Sequence, residues 1–173
     1  YIDKSPPTGA FSPNSSSSPT NSQSISFTAS DVGSGLSSTA SLQIYNAYTG
    51  VKDSDTSFNP QSTYTFNLPD GATTAVAALA DNVGNTSNID SGVWYVDTTA
   101  PIADVSTSQS SSTNSFNFPW HNSPVSVNVG AYDVSSNDFY SGVKSWTYTI
   151  ERSNDGVNWS TYNSGTNNDT APD

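Results

Sequence analysis

Aspartate and asparagine side chains in this 173-residue chain cluster at positions that suit a hard divalent cation. Calcium takes about six to eight oxygen ligands from carboxylates, amides and backbone carbonyls, and it needs neither His nor Cys. Calcium is therefore the one candidate cofactor, and the alternative is that these side chains cap turns. The predicted ligands are Asp81, Asp97, Asp133 and Asp138. Their clusters also contain Asp31, Asn82, Asn85 and Asn137.

Catalytic residues are scarce in the sequence. The chain has one His (His121), one Glu (Glu151) and no Cys. No nucleophile motif surrounds any of its many Ser residues. A pair of Asp residues could hydrolyse a glycoside, but nothing in the sequence distinguishes one such pair from the others. We therefore expect a protein that is not an enzyme, with His121 in a surface loop.

Charge and composition exclude several kinds of partner. Fifteen acidic residues against four basic ones give a net charge of -11, which cannot neutralise a nucleic-acid backbone. No apolar run approaches the roughly twenty residues of a membrane-spanning helix, so we expect no membrane insertion. Aromatic residues make up 12% of the chain, which favours a folded protein. Abundant Ser, Thr and Asn without Cys is typical of an extracellular or cell-surface protein.

The sequence contains an internal repeat. Its first seven residues, YIDKSPP, recur 94 positions later as YVDTTAP. After each copy comes a Ser-rich stretch, then an alternating apolar run that leads to Asp31 or Asp133. A Ser-Gly turn at Ser34 or Ser141 then follows. Four matches in the same order indicate two related units.

Period-two alternation and turn residues predict short β-strands throughout. Trp146, Tyr148 and Ile150 share one predicted face in the second unit, and the apolar run over residues 75–80 predicts a central strand in the first. The strands predicted in the first unit span residues 8–12, 24–30, 40–47, 62–68, 73–80 and 92–97. Short strands separated by Gly, Pro, Asn and Asp predict an all-β antiparallel sandwich.

Three motifs resemble the immunoglobulin-like repeats of large bacterial and archaeal surface proteins. They are VDTTAP at residues 96–101, ADNVGN at residues 80–85, and a pattern from Pro124 to Trp159 that ends in DGVNW. The resemblance implies tandem immunoglobulin-like β-sandwiches that act as spacers or adhesive modules. It implies no catalytic residues.

The repeat assigns residues 1–97 to a first sandwich and residues 98–173 to a second. Aligning Pro69-Asp70 with Pro172-Asp173 ends the second sandwich before the counterparts of its last two strands. Reading residues 169–172 (DTAP) as a new junction leaves the same two strands out. We expect an interior piece of a longer chain, the alternative being a subunit completed by strands from a neighbour.

The sequence thus predicts a non-catalytic structural or adhesive module of an extracellular cell-surface protein, in a stalk, fibre, filament or surface layer. Its expected partners are neighbouring repeats or subunits of the same protein. The alternative is a carbohydrate- or receptor-binding accessory module of a secreted enzyme or adhesin, whose partner is a surface glycan or receptor. Trp120 and Trp159 are the candidates for stacking on a sugar. A calcium ion at Asp97 and Asp133 is expected to stiffen the linker between the units.

Overall fold

The computed structural model describes residues 2–107, 126–134, 139 and 141–168. These residues form twelve β-strands and no helix, so they contain no helix that could span a membrane. The strands are β1 (Thr8–Ser12), β2 (Ser24–Ser30), β3 (Ala40–Asn46), β4 (Lys52–Phe58), β5 (Tyr64–Asn67), β6 (Gly71–Ala80), β7 (Thr86–Asp90), β8 (Trp94–Val96), β9 (Ile102–Thr107), β10 (Val127–Tyr132), β11 (Trp146–Arg152) and β12 (Ser160–Asn167). The all-β prediction is confirmed for the described residues.

Contacts divide the chain into two units. The first comprises Tyr1–Thr99 together with Ser135–Ser141, and the second comprises Ala100–Val134 and Gly142–Asp173. Each unit has its own sheets, and all named strand pairs are antiparallel.

The first unit contains two sheets. One has the strand order β1-β2-β5, and the other has the order β4-β3-β6-β7. Strand β6 pairs with β3 along one edge, and with β7 and β8 in succession along the other. The predicted central position of the apolar run is therefore confirmed.

Side chains from both sheets of the first unit form a single core, an arrangement consistent with a β-sandwich. Phe11 of β1 lies 5.7 Å from Trp94 of β8 between ring centroids, and Phe27 of β2 lies 5.8 Å from Phe58 of β4. Successive side chains of a strand point to opposite faces of the sheet. Along β3 every second residue is accordingly buried in this core, as the alternation in the sequence predicts.

Strands β4 and β7 are absent from the sequence prediction. All residues of β4 except Phe58 are exposed, and its sequence, KDSDTSF, has no apolar alternation. Strand β7 likewise alternates only between exposed and half-buried positions. Both strands lie at an edge of the sheet, where each is held by backbone pairing with one neighbour. Such a strand needs no apolar face, so its sequence shows no apolar alternation from which it could be predicted.

The second unit contains two described strand pairs, β9–β10 and β11–β12. Phe11 pairs with Phe27 in the first unit, and the equivalent positions of the sequence repeat, Val105 and Val129, pair in the second. The β3–β4 pair has a register shift after Ile44, and the β11–β12 pair has the same shift after Ile150. The repeated sequence thus forms strand pairs of the same register.

Candidate functional site

Three carboxylates converge at one end of the first unit. Asp3 precedes β1, Asp31 directly follows β2, and Asp81 directly follows β6. One carboxylate oxygen from each lies within 4.8 Å of those of the other two. Antiparallel pairing of the start of β1 with the end of β2 brings Asp3 beside Asp31. A β-bridge between Leu36 and Asp81 brings the third carboxylate, that of Asp81, to the loop after β2.

Asp81 is buried and held by the turn that follows β6. Only 4% of Asp81 is exposed. Its Oδ1 accepts the backbone N–H groups of Val83 (2.9 Å) and Asn85 (2.8 Å), and its Oδ2 accepts the Asn85 amide at 2.6 Å. Burial alone would raise the pKa of Asp81, but the hydrogen bonds from Asn85 and Val83 outweigh it and lower that pKa. Asp81 is therefore an ionised carboxylate. Gly84 supplies the positive φ of 94° in this turn.

Asp3 links the residues before β1 to the loop after β2. Its Oδ1 accepts the backbone N–H of Ser5 at 3.0 Å, and its Oδ2 accepts that of Ser34 at 2.6 Å. These two backbone hydrogen bonds, together with one from the Ser34 side chain, lower the pKa of Asp3 against smaller opposing effects of burial and of the Asp81 charge. Gly33 makes the approach possible, because a β-carbon there would collide with the Asp3 carboxylate.

One oxygen of the cluster has unused hydrogen-bonding capacity. The Oδ2 of Asp31 accepts the backbone N–H of Gly35 at 2.8 Å. The Oδ1 of Asp31 is buried with no hydrogen-bond partner among the described residues. Buried polar atoms are normally satisfied, so this oxygen is suited to a bound ion. The described residues of the site offer hard oxygen ligands.

Of the four predicted calcium ligands, the structure places only Asp81 in this cluster. Asp97 accepts the backbone N–H groups of Thr99 and Ser141, both at 2.9 Å. Asp133 accepts that of Val134 at 3.0 Å. Asp138 lies outside the described residues. The calcium prediction itself stays a prediction.

Sequence reasoning did not select Asp3. The signal was present, because Asp3 occupies the position in YIDKSPP that Asp97 occupies in YVDTTAP. Asp31 belonged to a recognised cluster, and its counterpart in the repeat is Asp133. The repeat therefore pointed to Asp97 and Asp133, whereas the structure brings together their counterparts Asp3 and Asp31.

The tryptophan side chains differ in how much of their surface is exposed for sugar binding. Trp94 is 1% exposed and packs in the core of the first unit. Trp159 is 50% exposed and Tyr162 is 65% exposed on the β11–β12 hairpin, where Arg152 lies 5.1 Å from the Tyr162 ring centroid. Trp120 and His121 lie outside the described residues.

No protein-family model matches the chain, and neither a curated protein nor a solved structure shows significant similarity to it. The residues and their geometry therefore carry the functional proposal.

Proposed function

We propose that this chain is a non-catalytic structural or adhesive segment of an extracellular cell-surface protein, built from tandem immunoglobulin-like β-sandwiches. The observation that carries the proposal is a repeated hydrogen bond. Asp3 accepts the backbone N–H of Ser34, and Asp97 accepts that of Ser141, at equivalent positions of the two sequence repeats. A hydrogen bond that recurs at equivalent positions of two sequence repeats is expected of structural modules strung in series.

Calcium is the proposed ligand of Asp3, Asp31 and Asp81. Three carboxylates this close to one another repel, and no ion pair between them and a basic side chain is present among the described residues. A divalent cation would convert that repulsion into attraction. Oxygen ligands alone favour calcium over zinc or copper. The Oδ1 of Asp31, which has no hydrogen-bond partner among the described residues, supports the same assignment.

A cation at this cluster would join three segments that are distant in sequence: the residues before β1, the loop after β2 and the turn after β6. Any ligand that binds only the folded state stabilises it. We therefore propose that calcium stiffens the end of the first unit at which the chain enters it. A stiff end suits a module that transmits force or sets distance.

Surface exposure on the source cell tests this function directly. An antibody raised against the 173-residue chain is expected to label intact, unpermeabilised cells. A short protease treatment of the intact cells is expected to abolish that labelling. Labelling that requires permeabilised cells would contradict the proposal.

A second candidate function is carbohydrate binding, which the exposed Trp159 and Tyr162 favour. Aromatic rings on an exposed surface supply the apolar faces on which sugars stack. A glycan array probed with the wild-type chain and with Trp159→Ala tests this function. The matched control is Val157→Ala, which removes an exposed apolar side chain from the same hairpin. Binding that Trp159→Ala abolishes and Val157→Ala preserves would favour this second function.

A further inference from the structure

We propose that the outer face of the sheet β4-β3-β6-β7 binds a neutral carbohydrate chain in a trough of about 430 Å³. The ligand is a polyhydroxylated sugar chain without carboxylate, sulfate or phosphate groups. The trough belongs to the first unit, so it is a different site from the exposed aromatic pair on the β11–β12 hairpin. The proposal goes beyond the proposed function, because a structural module need not bind a glycan.

One row of side chains crosses this outer face from edge to edge. Ser41 of β3 pairs with Ser57 of β4 on one side and with Ala78 of β6 on the other. Ala78 in turn pairs with Asn88 of β7. Residues that lie opposite each other in antiparallel strands have their side chains on the same face. Both chain neighbours of Ser41 are buried in the core, so Ser41 and the row it belongs to point outward.

The lining of the trough combines small apolar groups with uncharged polar ones. Ser41, Ser57 and Ala78 are short, so they leave space above the sheet, and Ala80 extends this surface along β6. The two Ser hydroxyls and the amide of Asn88 can each donate and accept hydrogen bonds. A sugar chain presents matching groups, with hydroxyls at the ring edges and C–H groups on the ring faces. The volume also lies within the range of about 300–1,000 Å³ that is usual for small-molecule sites.

The next two outward positions of β3 supply polar groups whose orientation is fixed. Gln43 Nε2 donates to Asp55 Oδ2 at 3.2 Å, and Gln43 Oε1 accepts the hydroxyl of Tyr45 at 2.6 Å. Lys52 Nζ donates to the same Asp55 oxygen at 2.9 Å. Outward positions of a strand repeat about every 7 Å, so these groups adjoin the row of Ser41. Groups that are already held in place lose less entropy when a ligand binds.

Charge favours a neutral ligand over an anionic or a basic one. The described residues that line the trough are all uncharged. Beside it, Lys52 pairs with Asp55, and this ion pair adds no net charge. The net charge of -11 over the whole chain repels an anionic polysaccharide. A basic peptide would be drawn to exposed acidic side chains such as Asp90 of β7, and the uncharged trough offers it no such partner.

The test titrates the intact nitrogen-15-labelled chain with oligosaccharides and follows its amide resonances. The neutral probes are cellohexaose, laminarihexaose, mannohexaose and chitohexaose. Hexagalacturonate is the anionic comparison and hexalysine the basic one. We expect saturable shifts at Ser41, Ala78 and Asn88 with at least one neutral probe, and none in β11 or β12.

Two matched pairs of variants locate the binding. Ala78→Leu fills the trough and is expected to abolish the shifts, whereas Ala10→Leu makes the same change at an exposed position of the other sheet and should bind like the wild type. Asn88→Ala removes one hydrogen-bonding group and should weaken binding by about threefold to tenfold. Asn67→Ala, also exposed but in the other sheet, should leave the affinity unchanged. The amide spectrum of each variant shows whether it is folded.

Absence of shifts with every neutral probe would overturn the inference, and so would shifts confined to β11 and β12. Equal binding by Ala78→Leu and Ala10→Leu would place the ligand elsewhere and would also overturn it. Tighter binding of hexagalacturonate or hexalysine than of every neutral probe would overturn the class of ligand. None of these results bears on surface labelling of cells, so the proposed function and this inference fail separately.

Discussion

The carboxylate of Asp3 accepts the backbone N–H of Ser34 at 2.6 Å, and this hydrogen bond ties the residues before β1 to the loop after β2. Replacing Asp3 with Ala removes this acceptor and the one used by Ser5. We expect faster amide exchange at Ser5 and Ser34 and a lower melting temperature. Asp53→Ala, an exposed change on β4, is the control and should alter neither. Unchanged exchange at Ser34 in Asp3→Ala would show that the hydrogen bond is not formed in solution.

Phe27 occupies the centre of the first unit's core. It is 1% exposed, and its ring centroid lies 4.7 Å from that of Phe11. Phe27→Ala leaves a cavity and is expected to lower the free energy of unfolding by about 3–5 kcal/mol. Val83→Ala, at a position that is 61% exposed, is expected to change it by less than about 0.5 kcal/mol. Denaturant unfolding measures both. Equal effects of the two variants would contradict the assigned core.

Thr73 carries a buried hydroxyl that has no hydrogen-bond partner among the described residues, and it is 1% exposed. Thr73→Val keeps the shape and removes the unsatisfied group, so we expect stabilisation by about 1–2 kcal/mol. Thr74→Val, on the outer face of the same strand, is the control and should have little effect. Destabilisation by Thr73→Val would indicate that a buried water bonds to the hydroxyl.

Asp155 organises the β11–β12 turn. Hydrogen bonds from the backbone and side chain of Asn158, then from Val157 and Ser153, hold the pKa of Asp155 far below its usual value of 3.8. The unfolded chain therefore takes up this proton first as the pH falls. The stabilisation by Asp155 is fully present above the unfolded-state pKa and is lost as the pH falls below it towards the folded-state pKa.

Carbon-13 shifts of the carboxyl carbons test the Asp155 prediction. Asp155 is expected to stay ionised at about pH 3, well below its ordinary midpoint. Asp155→Asn removes the titrating group, so the β11–β12 hairpin of that variant should lose less stability between neutral and acidic pH. A midpoint near the ordinary value would refute the hydrogen bonds around Asp155.

The sequence predicted six of the eight strands described in the first unit from alternating apolar residues, from the continuous apolar run of β6 and from the turn residues between them. The bounds of β1 and β2 coincide with the prediction, and β6 begins two residues earlier than predicted, at Gly71. The polar edge strands β4 and β7 escaped prediction because an edge strand is fixed by backbone pairing with its neighbour. Alternation of apolar residues indicates that one face of a strand is buried, and in β4 only Phe58 is buried.

The site was only partly predictable for a different reason. Asp81 stood out because its turn, Asp-Asn-Val-Gly-Asn, is a recognisable local motif. Asp3 meets it only through tertiary structure, since 78 residues separate them in the chain. Composition can suggest a calcium ligand, but it cannot show which loops meet at one end of a sandwich.

Calorimetric titration of the intact chain with calcium tests the central claim, that Asp3, Asp31 and Asp81 form a cation site. We expect saturable binding and a higher melting temperature with calcium than with chelator. Asp31→Asn keeps an acceptor for Gly35 and removes the charge, and it should weaken binding by about tenfold or more, as should Asp81→Asn. Asp53→Asn should bind like the wild type. No heat of binding, or equal affinity in all variants, would contradict the account.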